Sequence, residues 1–173
     1  MEAIECLRTR RSIRQYDDRP VSRDQIETIV DCGRLAPTGR NEQPWEFVVI
    51  TDADLRARLA EITDFGPFIA TAPVCVVVLC QDTKYYIEDG SAALTNMLNA
   101  AHALGLGSCW VAGDKKAYAA QIRELAGAPD GYLLVGLMSL GYAASGTSAS
   151  KRPLKEVLHW EALGGTAKKT DEE

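Results

Sequence analysis

Arginine and serine stand together early in the chain, in Arg10-Arg11-Ser12-Ile13-Arg14, with Arg8 and Arg19 close by. A guanidinium is a planar fork of N–H donors that fits phosphate oxygens, and a hydroxyl between arginines adds a short donor. The plainer reading is a solvated basic stretch after a helix, and composition alone favours it. A second basic group, Lys151-Arg152-Pro153-Leu154-Lys155, follows a Gly/Ser/Ala-rich stretch near the other end. It is weak evidence alone. Brought beside Arg10, Ser12 and Arg14, it would complete a phosphate cradle.

A third cluster is the loop Ala36-Pro37-Thr38-Gly39-Arg40-Asn41-Glu42-Gln43-Pro44-Trp45. Its glycine permits close backbone approach, and its Thr, Asn and Gln side chains offer donors and acceptors to the heteroatom edge of a planar ring. The competing reading is a connecting turn, yet a polar loop this long in a small domain more often has a function.

Other motifs fail. Gly105-Leu-Gly107-Ser-Cys-Trp110 starts like a dinucleotide fingerprint but has tryptophan in its sixth position, and it follows a helix and precedes a strand. There is no Walker A sequence, and Gly146-Thr-Ser148-Ala-Ser150 lacks the closing glycine of a nucleophile elbow. The five cysteines (Cys6, Cys32, Cys75, Cys80, Cys109) form no C-x-x-C pair, and neither His102 nor His159 has a nearby carboxylate pattern. No metal site is expected. No His or Cys base pair supports a hydrolase, so the chemistry of an enzyme here falls to a cofactor.

The elements that must hold these clusters alternate along the chain. Helices are expected over residues 2–9, 22–36, 86–104 and 117–126, with another opened by an Asp52 cap. Ser22 and Gln25 suit a capping box, and Pro37 closes that helix. Strands are expected over 45–51, 73–80, 108–112 and 132–142, and a short helix runs up to Trp160. Tyr86–Leu104 is apolar over nearly its whole length, which fits either a central helix or one buried by a partner subunit. The 173 residues suit one domain, 1–173, with 168–173 as a frayed tail. A net charge of −5 argues against general nucleic-acid affinity, no apolar run reaches membrane-span length, and the acidic N-terminus is unlike a signal peptide. The expected compartment is the cytoplasm.

Taken together the chain resembles the nitroreductase family of FMN-dependent oxidoreductases. Arg10–Arg14 is similar to that family's N-terminal flavin motif, and Ala36–Trp45 to its flavin loop. Leu104-Gly-Leu-Gly-Ser-Cys-Trp-Val-Ala-Gly113 is similar to its segment beneath the ring, and Arg152–Trp160 to its C-terminal end. The four motifs stand in the family's order at fitting spacings.

The resemblance implies an α+β fold, a three-layer α/β/α sandwich with a mixed, mainly antiparallel sheet, and a homodimer with FMN at the interface. It implies that Arg10, Ser12 and Arg152, with Arg11 and Lys151, meet the phosphate and ribityl chain, and that Arg14 approaches the N1/C2 edge. Pro37, Thr38, Gly39 and Asn41 would come from the other subunit, and backbone groups of Val111, Ala112 and Gly113 would face N5. The chain departs from the family in three places. Trp110-Val-Ala-Gly113 replaces a Pro-x-Glu-Gly turn, Phe65-Gly-Pro-Phe68 stands where larger members have Asn and Lys, and the long insertion that builds a lid is missing. The implied activity is ping-pong hydride transfer from NADH or NADPH through flavin N5 to a small acceptor such as a nitroaromatic, quinone or enone, with no side-chain nucleophile. Two alternatives remain: a flavin-binding, storage or sensor module without steady turnover, and a flavin-fragmenting or dehalogenating relative.

Overall fold

The computed structural model describes residues 1–146 and 149–166. The expected frayed tail, 168–173, and Thr147-Ser148 within the Gly/Ser/Ala stretch lie outside them. The elements run α1 (Ala3–Thr9), α2 (Arg23–Arg34), β1 (Trp45–Ile50), α3 (Ala53–Ile62), β2 (Val74–Gln81), α4 (Tyr86–Ala103), β3 (Gly107–Ala112), α5 (Ala119–Leu125) and β4 (Tyr132–Gly141).

Local chemistry sets the helix starts. The Ser22 Oγ accepts from the Gln25 backbone N–H while the Gln25 side chain takes the Ser22 N–H, a complete capping box on α2. Asp52 caps α3 by accepting from the Leu55 N–H at 2.9 Å. Helix α4 stops where Gly105 takes a left-handed φ of 78°, which turns the chain back into β3.

The strands lie in the order β1-β2-β4-β3, each neighbouring pair antiparallel. The N-terminal segment adds a parallel bridge from Ser12 to Ser108 on the open edge of β3. The sheet is therefore mixed but mainly antiparallel. Two cores flank it. Val74, Val76 and Val78 of β2 face α2 and α4, where Ile29, Leu94 and Met97 pack. Cys75, Val77 and Leu79 face α3 and α5, where Leu59 and Ile122 pack. Buried on both faces, β2 reads as an unbroken apolar run. The result is the three-layer α/β/α sandwich.

One irregularity bears on function. Val78 pairs with Gly136 but Leu79 with Leu134, so Val135 is an extra residue in β4. The bulge flips the face of β4: Met138 and Leu140 join the α2/α4 core, Leu137 the opposite one, and across the bulge Val135 joins the first and Leu134 the second. Gly136 sits at this kink opposite Ala112, where a Cβ would stand 2.5 Å from Trp110 Nε1. The bulge thus shapes the end of β3.

One expectation needs revision, and another stays open. The short helix up to Trp160 shrinks to a 3-10 turn, Leu154–Glu156, in an exposed segment with little to pack against. Helix α4 buries one stripe within this chain, including Ala93, Leu94, Met97 and Ala101, whereas Asn96, Asn99 and Ala100 stay half-buried.

Candidate functional site

β3 is an edge strand, so alternate peptide groups point away from β4. The Ser108 carbonyl is one of these: it accepts from the Ile13 N–H at 2.9 Å. By the same alternation Trp110 and Ala112 turn their backbone groups outward, and the Ala112 carbonyl receives the Tyr118 hydroxyl. The Ala112 N–H is left as an edge donor.

That edge opens into a cavity of about 510 Å³, within the range of small-molecule sites. Trp110, Val111 and Ala112 of β3 line it, together with Phe68, Tyr118, Arg14, Asp64, Phe65 and Lys116. The Arg14 guanidinium lies 5.7 Å from the centre of the Phe68 ring, a cation–π contact that holds the charge at the wall.

A second, more polar recess of about 210 Å³ is lined by Arg10, Arg11, Ser12, Lys151 and Ala149, and again by Arg14. Arg14 is the shared wall. Ser12 is fixed by its bridge to Ser108. Arg11 is braced by its own turn, donating to the carbonyls of Arg8 at 2.9 Å and Arg10 at 2.8 Å. The two motifs at opposite ends of the sequence are therefore brought together, with Lys151 as the contributor from the second. Arg152 turns elsewhere, donating to the Glu156 carbonyl at 2.9 Å and lying 3.6 Å from its carboxylate.

The loop carrying Pro37, Thr38, Gly39 and Asn41 lines neither cavity. It is bound to the first turn of α4. The Gly39 N–H donates to the Asp89 carboxylate at 2.9 Å, and Gly39 packs so tightly on Tyr85 that a Cβ would sit 2.8 Å from the ring. Arg40, Asn41 and Gln43 all take left-handed φ values, of 56°, 60° and 51°. Backbone of this kind in non-glycine residues persists only where the surrounding contacts hold it. Asp89 is 4% exposed, and its second oxygen is buried without a partner among the described residues.

The same turn of α4 reaches the end of β3. Tyr86 donates to the Asp114 carboxylate at 2.5 Å, and that contact, with burial, pushes its phenol up to about 12. Deeper in, burial raises the Tyr16 phenol, which shares a 2.6 Å hydrogen bond with Ser139. Beneath Ser12, burial likewise raises the Cys109 thiol, which argues for a packed rather than a reactive cysteine.

The family model described as "Nitroreductase family" matches residues 7–64 and 65–142, a span that takes in the Arg10–Arg14 motif, the strained loop and the edge of β3. The chain belongs to the nitroreductase family. It is 38% identical over 149 residues to an Archaeoglobus fulgidus protein named as a candidate NADH dehydrogenase/NAD(P)H nitroreductase, covering 82% of this chain and 85% of that one. An FMN-dependent nitroreductase from Clostridium difficile superposes with a TM-score of 0.86 at 30% identity, over 92% of this chain and 99% of that one. A candidate nitroreductase from Desulfovibrio desulfuricans, solved in complex with FMN, gives a TM-score of 0.83 at 34% identity, over 94% and 98% of the two chains.

Within this nitroreductase fold the sequence reading missed Lys116, Tyr118 and Asp89. An acidic residue inside an apolar helix was the available signal for Asp89. Lys116 follows Gly113 too closely for periodicity to place it. No helix among the described residues is long and apolar enough to cross a membrane.

Proposed function

We propose that the protein is an FMN-dependent oxidoreductase that takes hydride from NADH or NADPH and passes it to a small acceptor such as a nitroaromatic, quinone or enone, in ping-pong order. The observation that carries this reading is Arg14, the wall common to a polar basic recess and a larger aromatic cavity on an edge strand. Two compartments of opposite character sharing one cation match a ligand with a phosphate at one end and a planar ring at the other. FMN supplies the two-electron chemistry when bound.

The residues present fit that group. Arg10, Arg11, Ser12 and Lys151 are a donor set for a dianionic phosphate. Arg14 supplies positive charge where the ring gains electrons, and the Ala112 N–H supplies a donor along the edge of β3. Phe68 and Trp110 line the same cavity and would keep water from a ring bound there.

The assembly we propose is a homodimer with FMN at its interface and the Pro37–Asn41 loop serving the partner's flavin. Its support is the unsatisfied apolar surface. Leu154, Val157, Leu158 and Trp160 project from the C-terminal segment at 45% exposure or more, and Ile4, Leu7 and Leu35 are similarly bare on α1 and beside α2. A soluble monomer rarely leaves this much apolar surface uncovered.

Light scattering with flavin quantitation is the check on the assembly. A dimer carrying one FMN per subunit is expected, and a stable flavin-loaded monomer would rule the shared-site reading out.

A further inference from the structure

At the mouth of the aromatic cavity Lys116 and Asp64 face each other, with Lys116 Nζ 3.6 Å from the Asp64 carboxylate. The same ammonium lies 5.6 Å from the centre of the Phe65 ring, and Phe65 is 77% exposed at the rim. Lys116 is thus held over the opening by a carboxylate and an aromatic face. The pair is weak because Asp64 is more than half exposed, and a solvated ion pair of this kind parts easily.

The cavity lining carries Arg14 and Lys116 against Asp64, a net positive charge in a protein whose overall charge is −5. Asp64 is the one acidic residue among those lining the cavity, and Asp114, after β3, is engaged by Tyr86 and lies 3.8 Å from Lys115. Positive charge focused in a concave, partly apolar site favours anions over cations. We propose that Lys116 selects acceptors: the ring-site substrate is a small planar aromatic molecule bearing an anionic group such as a carboxylate, which Lys116 meets on leaving Asp64 while the Phe65 ring flanks the aromatic part. This rests on the flavin reading above. It assigns Lys116 as the residue that favours the anion and Asp64 as the competing charge that limits the preference.

The test is equilibrium binding to the oxidised, FMN-loaded protein, by calorimetry, of three ligands of similar shape: benzoate, benzamide and phenyltrimethylammonium. Benzoate is expected to bind tightest and the cation weakest, with a benzoate-to-benzamide preference of roughly three- to fivefold at low salt that shrinks as ionic strength rises. Lys116→Gln should bring benzoate and benzamide close together, Lys116→Arg should keep them apart, and Asp64→Asn should widen the gap. The ratio of kcat/KM for para-nitrobenzoate over para-nitrobenzamide should follow the same order. Equal binding of benzoate and benzamide by the unmodified protein, or an unchanged ratio in Lys116→Gln, would overturn the proposal. A protein that takes up no FMN would overturn the flavin reading instead. The ligand preference would then be read on the apoprotein, whose cavity mouth carries the same two side chains.

Discussion

The Asp89 carboxylate accepts the Gly39 backbone N–H at 2.9 Å and so ties the start of the longest helix to a loop fifty residues upstream. One turn of α4 therefore serves two segments, because Tyr86 from that turn also donates to Asp114 at the end of β3. The strained loop and the segment that follows the cavity-lining strand β3 therefore share one support.

Asp89→Ala removes the acceptor and leaves a half-buried N–H unpaired, a loss of about 1–2 kcal/mol. The expected result is a thermal midpoint lower by on the order of 5 °C together with weaker FMN retention. Asp89→Asn keeps an acceptor oxygen and should recover most of both. Calorimetric melting with flavin quantitation checks this, and flavin retention unmoved in Asp89→Ala would detach the loop from the flavin.

The phosphate assignment predicts that Arg10→Ala and Lys151→Ala each weaken FMN by roughly ten- to a hundredfold, the effect of about 1.5–3 kcal/mol from one lost charge-assisted contact. Riboflavin, which has no phosphate, should be hardly affected. Arg152→Ala is expected to cost less, since that guanidinium is turned to Glu156. Equal weakening of FMN and riboflavin would mean that these residues hold the fold or the ring.

Arg14→Leu should make the bound flavin harder to reduce, because a guanidinium stabilises the negative charge gained on reduction and leucine does not. Phe68 lines the same cavity beside Arg14, so Phe68→Lys, which adds a cation there, should shift the midpoint potential in the opposite direction. Spectroelectrochemical titration reads both. An unchanged potential in Arg14→Leu with FMN fully bound would place the stabilising charge elsewhere.

His102 titrates below its ordinary 6.5, chiefly because burial disfavours the imidazolium and also because Arg10 lies nearby. The unfolded chain then binds the proton at a higher pH than the folded one. Stability is accordingly kept above the unfolded value and lost as the pH falls below it toward the folded one. Denaturant midpoints measured from about pH 7.5 down to about pH 5.5 should decline, and His102→Gln should decline less. The 2.8 Å contact between Thr9 Oγ1 and His102 Nε2 makes α1 the element most exposed to this change.

Much of this was written in local sequence. The capping box at Ser22, the Asp52 cap, the valine run of β2 and the glycine after α4 each act within a few residues, so their spacing announces them. The grouping of Arg10, Ser12 and Lys151 could be suggested from their matching chemistry, and the family's order of motifs strengthened it, but no local rule joins residues about 140 positions apart. Other features had no local signature. The bulge at Val135 depends on how β4 meets both β2 and β3. The turn of Arg152 toward Glu156 is a choice among rotamers of an exposed side chain, and the short helix up to Trp160 failed because its apolar residues find little in this chain to pack on. Lys116 and Asp64 meet only because α3 and the start of α5 lie on the same face of the sheet.

Anaerobic mixing of the FMN-loaded protein with NADH and with NADPH tests the central claim most directly. The account predicts that at least one donor rapidly bleaches the yellow flavin absorbance, and that an added nitroaromatic or quinone restores it with the nicotinamide already released. Flavin that stays yellow with both donors, yet bleaches with a chemical reductant, would contradict it and leave a flavin-binding protein without this turnover.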